Sequence, residues 1–303
     1  MIAKKKQSKV FIKTLPKNLF SGFVVSLIAL PLGLGLALAS EAPPISGIIA
    51  AVVGGVVVAL LGGSNVTITG PGNGLVIVLL GAITTLGGGD LYAGYLFTLG
   101  AIVCSGVFML LLGFLKLGRL ADFFPASAIE GMLAAIGLGI LAKQFHIMIG
   151  HNNEHGSIIS LLIQIPEGIV GLYNNFHLEE MIAASIGVVA LLIMIFYSKI
   201  RNKYFQLIPA PMWILILSVS FSYVFQWIEV PYPMQEQFLV NIPDKVLSNL
   251  AFPDFSKLRD SDFIVAVFAI TLIASIDSLL SIKAEDNLDQ QKRRSNVKKD
   301  LKD

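Results

Sequence analysis

The sequence is short of charge and almost devoid of sulfur chemistry. Asp, Glu, Lys and Arg make up 14% of its 303 residues, whereas a soluble domain carries nearer a quarter. That shortage excludes an ordinary solvated globular surface. The net charge is only +2, and no nucleic-acid partner is expected. Cys104 is the one cysteine, which excludes a disulfide framework and a thiolate metal site. It lies in an apolar run and reads as a small packing residue. No phosphate-binding loop, nucleophile motif or zinc spacing occurs, so neither enzymatic activity nor a cofactor is expected beyond a coupling ion.

Apolar length fills the space that charge leaves. Hydrophobic residues make up 55% of the chain, with a mean hydropathy of +0.77. The expected class is an all-α polytopic membrane protein, because only helices or closed barrels satisfy the backbone in lipid. Eight spans are predicted: Leu19–Ala39, Ile45–Leu61, Ser64–Leu86, Leu91–Leu115, Ala126–Phe145, Met181–Tyr197, Leu207–Trp227 and Phe263–Ile282. Residues 1–17 form a basic tail, 18–283 the transmembrane domain, and 284–303 a charged cytoplasmic segment. Ile158–Tyr173 is an amphipathic, interfacial piece. Pro31 with Gly33 and Gly35 should kink span 1, and Gly47, Gly54 and Gly55 should let span 2 approach a neighbour. Glu229 to Asp262 reads as an irregular loop.

The eight-span topology distributes charge unequally. Eighteen of the 22 lysines and arginines fall on one side, which predicts both termini of this segment on the cytoplasmic face of an inner or plasma membrane.

Span 3 cannot be one continuous helix. Gly70-Pro71-Gly72-Asn73-Gly74 interrupts it, and Val66 to Thr69 before it favours a short extended segment. A helix starting after the break would point unpaired N–H groups and about half a positive charge back at it. Thr69, Gly70, Pro71, Gly72, Asn73 and Gly74 are therefore the candidate anion-binding residues, in the manner of discontinuous transporter helices. A packing kink alone would need neither the hydroxyls of Thr67 and Thr69 nor the Asn73 amide.

Asp277 is an acid roughly 21 Å into span 8. A carboxylate there costs on the order of 2.5–3.5 kcal/mol on insertion scales, so it should face a cavity. Ser281 lies four residues on, on the same helix face. Together they are the candidate site for a coupling cation, either Na⁺ or H⁺. Glu130, near the start of span 5, and Glu41, at the outer surface, read as interfacial acids. His151 and His155 have helical spacing but fall with His146 and His177 on a polar connection, where metal binding is not expected. Lys292-Arg293-Arg294 reads as a positive-inside signal.

Several of these stretches, in order, resemble the sulfate permease (SulP) family of anion transporters. They are Leu15 to Gly22, Ala29-Leu30-Pro31-Leu32, Ala37 to Ser40, Ala42-Pro43-Pro44 and Gly70-Pro71. They continue through Ile129 to Gly137, Ser275 to Ser281, Lys283-Ala284 and Lys292 to Asn296. The resemblance implies fourteen spans in two inverted seven-span repeats, usually followed by a cytoplasmic STAS domain. It implies a substrate site between the half-helices of spans 3 and 10, and a gate domain that forms a homodimer. This chain corresponds to the first repeat plus span 8, so it is expected to be a fragment or to pair with a separately encoded remainder. Asp277 falls where many members have glutamate and a sodium-coupled bicarbonate branch has aspartate. Ser281 falls where that branch has a hydroxyl sodium ligand. The function expected is secondary active transport of a small inorganic anion, bicarbonate or sulfate, by alternating access. The alternatives are a nucleobase carrier of the same architecture and a non-transporting membrane partner subunit.

Overall fold

The computed structural model describes residues 2–61, 68–70, 72–115, 126–149, 158–174, 178–202, 205–227 and 250–286. Among them the regular structure is helical, and no strand occurs. The helices are α1 (Ile2–Ala39), α2 (Pro44–Val53), α3 (Val76–Gly87), α4 (Leu91–Phe114) and α5 (Ala126–Met148). They continue with α6 (Ile158–Asn174), α7 (Leu178–Tyr197), α8 (Ala210–Trp227) and α9 (Ser261–Asp286). A π-turn, Gly54–Val58, and a last turn, Ala59–Leu61, extend α2 to the full second span. Four stretches are long and apolar enough to cross a membrane: Leu15–Ala39, Pro44–Leu61, Leu91–Phe114 and Ser261–Ser278. Val76–Gly87, Ala184–Tyr197 and Ala210–Phe221 are shorter apolar stretches at predicted spans 3, 6 and 7.

Residues 2–17, expected as a basic tail, are helical: α1 begins at Ile2 and continues through Pro16 and Pro31. Lys, Ala and Gln are strong helix formers, and each proline removes one backbone hydrogen bond without ending a helix this long. The charged segment 284–303 is described only to Asp286, where α9 ends.

The core lies where α3, α4 and α9 meet. Ala82 and Leu86 of α3, Ala101 of α4, and Phe263, Ala266, Val267 and Ile270 of α9 form one buried cluster. Cys104 packs against it, as its apolar setting predicted. A polar seam runs beside the cluster: Ser105 Oγ donates to the Val267 carbonyl at 2.9 Å and lies 3.0 Å from Thr271 Oγ1. Both hydroxyls are buried, so the seam fixes the register of α4 on α9.

Close backbone approach fixes the rest. A Cβ at Gly94 would overlap the Ile83 carbonyl oxygen, so α3 and α4 cross in direct contact. Between them Gly88 adopts φ +56° and ends α3, and Asp90 Oδ1 accepts the Tyr92 and Ala93 amides to start α4. On α2, Gly47 meets the Gly33 carbonyl of α1 and Gly54 meets Gly70. Gly55 faces open space, so it does not mark a helix contact.

The described part of the long loop before α9 is docked. Asp254 N donates to the Leu96 carbonyl at 3.0 Å, and a Cβ at Gly100 would overlap the Asp254 carbonyl. From this loop Lys257 reaches between α3 and α4. Its Nζ donates to the Leu86 carbonyl at 2.6 Å and lies 4.8 Å from the Phe97 ring centroid. It is a cation on the carbonyl end of the half-helix, where the helix dipole favours positive charge.

Lys257→Met keeps the apolar stem and removes only this bond. A charge-assisted hydrogen bond is worth about 1.5–3 kcal/mol. The variant should lower the thermal midpoint of the detergent-solubilised protein by several degrees, measured by intrinsic fluorescence. An unchanged midpoint would deny Lys257 a part in holding α3.

Candidate functional site

The break in the third span is built from both sides. Residues 62–67 and Pro71 lie outside the described residues, as does the Asn73 side chain, so Thr67, Pro71 and the Asn73 amide have no placement here. Of the rest, Ile68 to Gly70 is non-helical and Asn73–Leu75 is a short 3₁₀ turn that leads into α3. Leu75 occupies the N-cap and supplies no side-chain cap, and its own N–H donates to the Gly72 carbonyl at 3.4 Å within the 3₁₀ turn.

Thr69 is turned to a structural task. Its hydroxyl donates to the Gly54 carbonyl at 2.7 Å, at the start of the π-turn in α2. A π-turn shifts carbonyls out of the α register, and this one is met by the break. A Cβ at Gly54 would lie 2.9 Å from Gly70 Cα. The Thr69 proton is therefore committed to α2, and the hydroxyl anchors the break rather than offering a free donor.

Asp277 arrives at that foot from α9. A Cβ at Gly74 would lie 2.9 Å from Asp277 Oδ1 and 3.0 Å from its Cγ, and a Cβ at Gly72 would lie 3.5 Å from Oδ2. The carboxylate thus lies against the backbone of the break, with the buried Gly74 directly beneath it. The two candidate groups, the break and the acid, are side by side. Ser281, one turn further along α9, is exposed.

The other sequence candidates fall elsewhere. Glu130 lies on α5 with its side chain outside the described residues. His151, His155 and His177 also lie outside them. His146 is buried on α5, and its Nδ1 donates to the Ala142 carbonyl at 2.8 Å. Glu41 pairs with Lys143 of α5, with Oε1 and Nζ 2.5 Å apart. Nothing local in the sequence announces that pair or the Lys257 cap, because their partners are 102 and 171 positions apart.

The chain as a whole has a counterpart among known proteins. The family model for the sulfate permease family matches residues 15–298. The chain belongs to the sulfate permease family. Within it, the putative sulfate transporter YvdB of Bacillus subtilis (strain 168) is 27% identical over 290 residues, covering 92% of this chain and 49% of the relative. The bicarbonate transporter BicA of Picosynechococcus sp. is 25% identical over 293 residues, covering 95% and 49%. This sulfate permease chain thus spans about half the length of the curated relatives it matches.

The fold agrees. The solved transmembrane domain of a cyanobacterium bicarbonate transporter BicA superposes with a TM-score of 0.72 at 23% identity, over 95% of this chain and 69% of that one. The structure of SLC26A9 superposes with a TM-score of 0.75 at 17% identity, over all of this chain and 50% of that one.

Proposed function

We propose that this sulfate permease family chain is part of a secondary active transporter of a small inorganic anion, of the bicarbonate or sulfate class. Its relatives YvdB and BicA are named for those two substrates. The observation that carries the reading is the Asp277 carboxylate against Gly74, at the uncapped start of α3. The helix end attracts negative charge, and the nearby carboxylate repels a second one unless a cation neutralises it. Na⁺ or H⁺ on Asp277 would then be the coupling ion, with Ser281 an additional oxygen once the helices close round it. The anion would be held by the N–H groups of Gly72 to Gly74 and the first turn of α3, with Gly70 and Thr69 fixing their position.

Alternating access would move a core of α1–α4 and α9 against a gate of α5, α7 and α8. The full-length protein would act as a homodimer in an inner or plasma membrane, with both ends of this segment on the cytoplasmic face. The test is uptake of labelled bicarbonate, sulfate and fumarate into proteoliposomes of the full-length protein, with and without a Na⁺ gradient or a pH gradient. Bicarbonate or sulfate uptake that grows with one of the two gradients is the expected result. Uptake of no anion above protein-free liposomes would refute the reading.

A further inference from the structure

A cavity of about 370 Å³ lies between the half-helix and α5. One wall is a face of α3 from Val76, immediately after the break, to Thr84. The opposite wall is Gly139, Ile140, Lys143 and Gln144 of α5. Its far end is reached by Glu41, at the corner between α1 and α2, so the cavity connects the region of the break with the Glu41–Lys143 pair. The lining is otherwise mainly apolar, and Lys143 is its one cation among the described residues. Glu41 and Lys143 are each part-exposed, so the pair stands at a mouth and not in the core.

Glu41 is held there in an unfavourable backbone conformation. It has φ +58°, and among the described residues it is the one non-glycine with a positive φ. Glu41 N donates to the Leu38 carbonyl and Ala42 N to the Ala37 carbonyl, which is the helix-ending motif whose left-handed position ordinarily takes glycine. A part-exposed ion pair adds little stability, so stability alone does not account for a carboxylate in that position. Strain retained at a cavity mouth points to function. Helix contacts between α5 and both α1 and α3 are sparse, so the pair is a principal tie across this gap.

We infer that Lys143 is an entry site for the transported oxyanion, and that the Glu41 carboxylate is its built-in occupant. A carboxylate and a small oxyanion offer the same chemistry to an ammonium group: negative charge spread over oxygens at hydrogen-bond distance. An incoming anion takes the place of Glu41 on Lys143, the displaced carboxylate turns to solvent, and the mouth gains the charge of the anion. The same exchange releases the α1–α2 corner from α5, so loading and loosening are one event. The anion then has the α3 face to follow towards the break. This inference rests on the anion-transport reading.

The test compares Glu41→Gln, Lys143→Met and the charge swap Glu41→Lys with Lys143→Glu, each in the full-length protein in proteoliposomes. Lys143→Met should raise the half-saturating anion concentration on the Glu41 face about tenfold, through loss of one charged contact. Glu41→Gln should lower it, because the competing carboxylate is gone. The swap should stay as poor as Lys143→Met, because a carboxylate at position 143 repels the anion. If the pair only holds helices together, both single variants change in the same direction and the swap restores uptake; that pattern overturns the inference. A second readout needs no transport: the rise in thermal midpoint on adding sodium sulfate, in a Gly74→Leu background that blocks the break. It should survive with Lys143 present and vanish with Lys143→Met, and survival in both overturns the entry site. Absence of uptake by the parent protein counts against the transport reading, and the thermal measurement then decides the Lys143 site by itself.

Discussion

Gly74→Ala is expected to cut anion uptake by the full-length protein about a hundredfold while leaving its amount in the membrane unchanged, the scale of loss that a misplacement of about 1 Å brings to a reactive site. The added methyl would lie 2.9 Å from Asp277 Oδ1, closer than real contacts allow, and a tight 3.0 Å from Cγ. The obstacle is the end of a short side chain and not backbone, so rotation about χ1 relieves it cheaply. Folding should therefore survive. The carboxylate, however, is evicted from the break, and its coupling to the foot of α3 goes with it. Gly72→Ala should be milder, because its methyl would meet Asp277 Oδ2 at an ordinary 3.5 Å. Gly106→Ala on α4 faces open space and serves as the control. Uptake by Gly74→Ala equal to that control would mean that the position of the carboxylate is irrelevant to transport.

Asp277→Asn should abolish the dependence of uptake on a cation gradient. Two like charges about 4 Å apart in partly solvated protein repel by about 4 kcal/mol, on the order of a thousandfold in affinity. A helix N-terminus returns at most about 2 kcal/mol. On the proposed reading the repulsion exceeds that return, so an anion should bind beside ionised Asp277 only when a cation accompanies it. Asparagine removes the repulsion and the cation site together. Anion uptake should then run down the anion's own gradient, equally fast with Na⁺ present or absent and across the pH range where the parent responds. Cation dependence retained in Asp277→Asn would remove Asp277 from the coupling mechanism.

Much of this architecture was legible in the sequence because it is local. The apolar run from Leu91 predicted a span to Leu115, and α4 occupies Leu91–Phe114. Glycines clustered around Pro71 announced the break, and the helix indeed begins just beyond it, at Val76. Residues 2–17 were legible as basic but not as helical: lysine is both a charge marker and a strong helix former, and here the backbone preference carries α1 back to Ile2. Thr69 was only partly legible. A hydroxyl beside a break reads as a ligand, and only the π-turn of α2 reveals the carbonyl that takes its proton. Asp277 was conspicuous as an acid inside an apolar run, but its contact with Gly74 has no signature in the chain. The same holds for Glu41, whose value as an interfacial acid concealed a partner on α5.

The Lys257 tether has a consequence for biosynthesis. Leu86 and the lysine that finishes its helix are 171 residues apart, and Ser105 waits 166 residues for Thr271. At about 5–20 residues per second, the ribosome takes about 10–30 s to make that interval. Through that time the half-helix lies in the bilayer with its carbonyl end uncovered and its core face without α9. A nascent chain stalled before Asp254 would leave the Leu86 carbonyl and Ser105 without Lys257 and Thr271.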